Sequence, residues 1–109
     1  MTFSPRTSLI AAAMMQEEGF YGANTLARRN NNPGNIRMWG TAPVVGGFAH
    51  FATALDGYTA LLQDIQANAA MTLRQFISKY APGNENNTFA YLQLVCSITG
   101  FGPDEKVGG

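Results

Sequence analysis

The chain has 109 residues, a length that fits one domain and leaves no room for a second core. Hydrophobic residues make up 46% and charged residues 13%, which marks a globular chain and excludes a disordered one. Seven basic and seven acidic side chains cancel, so the positive excess of a nucleic-acid module is missing and carbohydrates are among the ligands left open.

Ser4-Pro5 is a helix start, a capping hydroxyl followed by proline at the first helical position. Leu9, Ile10, Ala13 and Met14 then form an apolar stripe, and Gly19 supplies the left-handed stop. With Arg6 before it, Leu9–Met15 imitates the core of an export signal. Gln16-Glu17-Glu18 follows where a small-residue cleavage site belongs, so the segment reads as the first helix of the fold. From Gly22 to Asn35 the chain reads as loop. Gly40 to Gly47 carries turn signals between two β-prone pieces, Asn35–Trp39 and Gly47–Phe51, which predicts a small hairpin. Thr53 opens a second helix with Leu55, Tyr58, Leu61, Leu62 and Ile65 at helical spacing. Thr72-Leu73-Arg74-Gln75 fits a capping box for a third helix that buries Leu73, Phe76, Ile77 and Tyr80 and stops at Ala81-Pro82-Gly83. A fourth helix starts near Asn86 or Asn87, carries Leu92, Val95 and Ile98, and ends at Gly100; the tail from Pro103 reads as frayed. The expected class is α+β, mainly α: one helical domain over residues 1–109 with a small hairpin lobe and a groove beside it.

One histidine and one cysteine are too few for a usual zinc site, so neither metal nor cofactor is expected. Cys96 falls in the stripe of Leu92, Val95 and Ile98 and reads as a buried, inert thiol. No run approaches the roughly 18 apolar residues of a membrane span. His50 reads as a strand residue at the lobe edge. Trp39 reads equally as hairpin cover or sugar platform. Arg28, Arg29 and Arg37 read as a solvated patch that can also meet carboxylates.

Two stretches suggest chemistry. At roughly 100° per residue, Glu18 falls in line with Ile10 and Met14, and Glu17 with Leu9 and Ala13. Both acids therefore touch the rim of the apolar face. Burial there raises a carboxyl pKa, and the partial negative charge of a helix C-terminus acts in the same sense. That is the requirement for a general acid near neutral pH. Two solvated carboxylates fraying into a turn are the bland alternative. Some fifteen residues on, Asn32-Pro33-Gly34-Asn35 has the signature of a type II turn, with Pro33 and a left-handed Gly34 at its centre. Asn32 and Asn35 then stand at its ends. Their amides suit sugar hydroxyls and N-acetyl groups, or they only bond the local backbone.

An apolar helix ending in Glu18-Gly19-Phe20, followed by Arg29-Asn30-Asn31-Asn32-Pro33-Gly34-Asn35-Ile36-Arg37, resembles a lysozyme-like family of phage and bacterial murein-degrading proteins. GFAHFATALDGYTALL (47–62) is similar to that family's aromatic and glycine segment. ISKYAPGNENNTFAYLQLVCSITG (77–100) is similar to its closing helices and to the tyrosine-bearing region of lytic transglycosylases. The resemblance implies a lysozyme-like fold and cleavage of the β-1,4 bond between N-acetylmuramic acid and N-acetylglucosamine in the peptidoglycan glycan strand. It places the catalytic acid on Glu18, or on Glu17 if the Glu-Ser-Gly-Phe motif of transglycosylases is the better guide. Asn32, Asn35, Tyr80 and Tyr91 become the matching cleft residues. The Gly-Leu-Met-Gln segment of typical transglycosylases is absent. No second carboxylate stands out, since Asp56 and Asp64 sit in a helix pattern and Glu85 in a loop. A monomer acting on the cell wall is expected, with delivery by phage lysis partners or in a virion among the routes. A non-catalytic murein-binding or virion-structural module on the same fold is the alternative.

Overall fold

The computed structural model of the chain describes residues 2–81 and 83–109, with backbone alone at 85 and 86. The fold is α+β and mainly α, about half helical, with one two-stranded antiparallel sheet among the described residues.

Helix α1 spans Pro5–Glu17, and Ser4 Oγ accepts the Thr7 N–H at 3.2 Å to cap it. Its end is closed by two bonds, Gly19 N–H to Gln16 O at 3.2 Å and Phe20 N–H to Met15 O at 3.0 Å. With Gly19 at φ 79° this is a Schellman motif, which makes Glu18 the C-cap residue. The stretch expected as loop contains a short helix, α2 at Leu26–Arg29, whose Thr25 hydroxyl accepts the Arg28 N–H at 3.3 Å. One turn of helix is too brief to show a period, so its sequence carries no periodic signal.

The hairpin exists, but its strands differ from expectation. β1 is Val44–Val45 and β2 is Phe48–Ala49, paired Val44↔Ala49 and Val45↔Phe48. Gly46 (φ 65°) and Gly47 (φ 87°) make the two-residue turn, both in the left-handed region that a type I′ turn demands. Asn35–Trp39 is not a strand; Ile36 O accepts the Ala49 N–H of β2 at 2.9 Å.

Helix α3 spans Ala54–Ala67, capped by Thr53, and buries Gly57, Ala60, Leu61, Leu62 and Ile65. Leu55, expected on its apolar face, is 71% exposed. Helix α4, Leu73–Tyr80, carries the complete capping box: Thr72 Oγ1 accepts Gln75 N–H at 3.1 Å and Gln75 Oε1 accepts Thr72 N–H at 2.9 Å. Pro82, part of the expected stop, lies outside the described residues. Helix α5, Glu85–Thr99, starts at Glu85, which therefore opens a helix instead of sitting in a loop. Leu92 and Val95 are buried, while Ile98 faces solvent.

Helix α1 packs against α3 and α5, and α5 also packs against α4. Ile10, Met14, Leu61, Ile65, Phe76 and Val95 meet in the shared core. The C-terminal segment is ordered, contrary to the frayed tail expected. Lys106 bridges Thr72, Val107 N–H donates to Met71 O at 2.7 Å, and the Val107 side chain is buried. Glu105 O and Pro103 O accept the Leu73 and Arg74 N–H groups, each at 2.9 Å, satisfying donors that a helix start leaves open. Among the described residues no helix is long and apolar enough to cross a membrane.

Candidate functional site

The asparagine run belongs mainly to the lobe's internal wiring. Asn30 Nδ2 donates to Val45 O at 3.0 Å, and its Oδ1 lies 3.0 Å from His50 Nδ1. Asn31 Nδ2 donates to Phe51 O at 3.0 Å. Asn32 is wholly buried, with Nδ2 on Ile36 O and Ala49 O at 2.8 Å each and Oδ1 accepting Ile36 N–H at 2.9 Å. Its amide therefore stitches the turn to strand β2 and offers nothing to a ligand. This corrects the expectation that Asn32 faces substrate: an amide with every group engaged and no exposed surface cannot be read as a contact residue.

The turn itself also departs from its expected type. Asn35 N–H closes it onto Asn32 O at 3.0 Å, but the left-handed residue is Asn35 (φ 48°) and not Gly34. Gly34 is needed for space. A Cβ there would come within 2.5 Å of the Tyr80 hydroxyl and 2.7 Å of Leu61 Cδ1. Gly57 plays the matching part on α3, where a Cβ would overlap the Asn31 carbonyl and approach Pro33 Cδ at 2.9 Å. Two glycines thus let the turn seat directly on α3 and α4.

Left-handed backbone at Asn35 turns its side chain back to the end of α1. Asn35 Nδ2 reaches both the Glu18 carbonyl and Glu18 Oε1 at 3.5 Å. The two adjacent acids therefore separate. Glu18 is half-buried and meets the turn, whereas Glu17 is exposed and walls a depression of about 410 Å³ with Tyr91, Asn84 and Asn87. Burial raises the Glu18 carboxyl above its ordinary pKa. The Tyr91 hydroxyl and the Asn35 amide pull it back, Glu17 raises it, and Arg37 lowers it.

The tyrosines are placed differently from expectation. Tyr80 donates to the Gly34 carbonyl and not to the acid, and its ring leans on Phe76 with centroids 5.6 Å apart. Burial raises its phenol pKa well above the usual value, and the charges of Glu18 and Asp64 add to the shift. Tyr91 is 5% exposed, which leaves little surface for a sugar. Its hydroxyl completes no hydrogen bond of standard geometry, although it is close enough to Glu18 to stabilise the carboxylate. Asn35 Oδ1 is also buried without a partner.

Asn35 is shared with a second depression, about 250 Å³, whose other walls include Arg37 from the segment after the turn, Asp64 of α3, its C-cap residue Asn68, and Lys79 of α4. Glu18 thus has one neighbour, Asn35, in this depression and another, Tyr91, in that of Glu17. Asp64 is the residue that sequence reasoning passed over. Gly57, Leu61, Asp64 and Asn68 recur at helical spacing on the α3 face that receives the turn, and two polar residues on a buried stripe were the available signal. Among the described residues no group of three His, Cys, Asp or Glu is arranged to hold a metal ion. Comparison with family models, curated proteins and solved structures gives no significant match.

Proposed function

We propose that the chain cleaves the β-1,4 bond between N-acetylmuramic acid and N-acetylglucosamine in peptidoglycan, with Glu18 as a single general acid and base. The observation that carries this reading is the half-buried Glu18 carboxyl, held at the end of α1 by an amide from the asparagine turn. The resemblance of the Glu-Gly and Asn-Asn-Pro-Gly-Asn stretches to lysozyme-like murein-degrading proteins supplies the substrate class.

Protonated Glu18 donates to the glycosidic oxygen as the anomeric C–O bond breaks, and the leaving sugar departs with that proton. The muramic N-acetyl oxygen closes on the anomeric carbon and shares its positive charge, the route open to glycosidases without a protein nucleophile. Glu18, now a carboxylate, takes a proton from the incoming nucleophile and is restored. With the muramic 6-hydroxyl as nucleophile the product is an anhydro sugar; with water it is a reducing end.

Burial serves the first step and the amide the second. Desolvation keeps the acid protonated closer to neutrality, while Asn35 and Tyr91 stabilise the carboxylate once it forms. The test is to incubate the protein with purified murein sacculi and identify soluble products by mass spectrometry. Anhydro-muramic ends assign a transglycosylase and reducing muramic ends a hydrolase. Binding of glycan strands without soluble products assigns instead a non-catalytic murein-binding module and overturns the proposal.

A further inference from the structure

A larger depression, about 680 Å³, lies between the hairpin lobe and α3 and shares no lining residue with the two beside Glu18. Trp39 and Thr41 wall it from the segment before β1, His50 from the end of β2, and Asp56 and Thr59 from α3. At roughly 100° per residue, Asp56 and Thr59 stand about 120° around α3 from Gly57 and Asp64, which mark the face that receives the asparagine turn. Two of these side chains are fixed by the fold and a third is left unused by it. The Trp39 indole packs on the core, and Ala42 N–H donates to Trp39 O at 2.9 Å across a left-handed Gly40 (φ 51°) to turn its segment. His50 N–H donates to Pro43 O at 2.7 Å, which ties the same segment to the end of β2. The Val45 carbonyl can only accept, so Asn30 turns Nδ2 to it and Oδ1 to His50 Nδ1, each at 3.0 Å. The neutral His50 ring therefore carries its proton on Nδ1 and keeps Nε2 as an acceptor. Asp56 occupies the place in α3 that Gln75 has in α4, three residues after the cap. Thr53 Oγ1 accepts the Asp56 N–H at 3.1 Å, but no return bond like that of Gln75 completes a capping box. The Asp56 carboxylate also belongs to neither ion pair among the described residues, Arg6–Glu105 and Arg74–Asp104.

We propose that this depression is a second binding site, separate from Glu18, for an uncharged saccharide that is held there and not cleaved. The indole offers a flat partner to the apolar face of a sugar ring. Asp56 and His50 Nε2 accept from ring hydroxyls, while Trp39 Nε1–H donates and the threonine hydroxyls do either. Asp56 is the one charged side chain in the wall, so an anionic ligand is repelled. A lone ammonium would answer the carboxylate, but it leaves the donors without use and most of the volume unfilled. The inference goes beyond the murein reading, because it holds whether or not Glu18 does chemistry. In a murein strand the uncharged N-acetylglucosamine units fit it, and a grip on them here lies away from the bond being broken.

Trp39 is the only tryptophan of the chain, so its emission and its indole N–H resonance report on this depression directly. The experiment titrates an N-acetylglucosamine tetramer into the Glu18→Gln protein and follows both signals. A saturable change in each is expected. Asp56→Asn exchanges charge-assisted hydrogen bonds for neutral ones and should weaken the titration about tenfold, with a smaller loss in Thr59→Val. Lys79→Met, in the wall of the depression beside Asn35, should leave it unchanged. The absence of any saturable change overturns the inference, as does full-strength binding in both Asp56→Asn and Thr59→Val. A loss in Lys79→Met equal to that in Asp56→Asn also overturns it, since the tetramer is then held beside Asn35. Saturation by lysine amide and not by the tetramer assigns an ammonium site and overturns the saccharide class. The murein reading fails separately, when the unaltered protein releases no products from sacculi.

Discussion

Glu17 and Glu18 differ by one step of helix and by what stands opposite them. Glu17 is solvated; Glu18 is half-buried against Tyr91 and Asn35. Since the folded pKa of Glu18 is raised above 4.5, the folded state binds this proton more tightly than the unfolded chain does. Its contribution to stability is full below that value and is lost as pH rises through the folded pKa. Glu18→Gln is therefore expected to leave Tm nearly unchanged at pH 4 and to raise it at pH 7, read by calorimetry at both pH values. A lower Tm at pH 7 than the unaltered protein contradicts this. Tyr91→Phe removes a hydroxyl that favours the carboxylate, so the Glu18 pKa should move further up, and the ¹³C shift of its carboxyl measures this directly. An unchanged or lower midpoint would contradict the role given to Tyr91. That one of two glutamates lies at the rim of the apolar face was legible from helical phase. Which one meets the turn was not, because the answer depends on the left-handed backbone of Asn35, 17 residues beyond Glu18.

At the scale of elements, the asparagine run shows one residue type used in two ways. Asn30, Asn31 and Asn32 bind backbone carbonyls of the hairpin and the segment after it, whereas Asn35 binds the acid. Asn32→Ala takes the Asn32 partner from the Ile36 N–H and the Ala49 carbonyl, and one of two donors from the Ile36 carbonyl, at a cost of about 3 kcal/mol. Asn35→Ala removes two long contacts and puts alanine at a left-handed φ of 48°, so it is expected to cost about 1 kcal/mol while raising the Glu18 pKa. Urea denaturation of the two variants tests this ordering, and equal losses would contradict it. The sequence showed a turn at Asn32-Pro33-Gly34-Asn35 but not its type. Local rules assign Gly34 to a left-handed position, whereas packing uses it to admit Tyr80 and Leu61. Hairpin register failed for a similar reason: several glycines in 40–47 offered turns, and the pair at 46–47 makes the one between the strands.

For the molecule as a whole, the radius of gyration is 13.1 Å, near the roughly 13 Å expected of a compact chain this long. The four longer helices were readable because each carries its own cap or period. The C-terminal segment was not, since its order comes from bonds to residues distant in sequence. Val107 fills a site beside α4, and Arg6 of α1 donates to Lys106 O at 2.7 Å while lying over Phe101 at 3.8 Å. Val107→Ala is expected to cost about 2 kcal/mol, with the loss visible in thermal unfolding. An unaltered Tm would mean that this segment does not contribute to the core. The tail thereby braces the start of α4, whose other end carries Tyr80 under the asparagine turn. The central claim is that this frame holds one carboxyl, Glu18, for murein cleavage. Its most direct test is the rate of turbidity loss of purified sacculi with the unaltered protein, Glu18→Gln and Glu17→Gln. Glu18→Gln is expected to lose about a hundredfold or more in rate, while Glu17→Gln keeps most of it; undiminished clearing by Glu18→Gln would contradict the role given to Glu18.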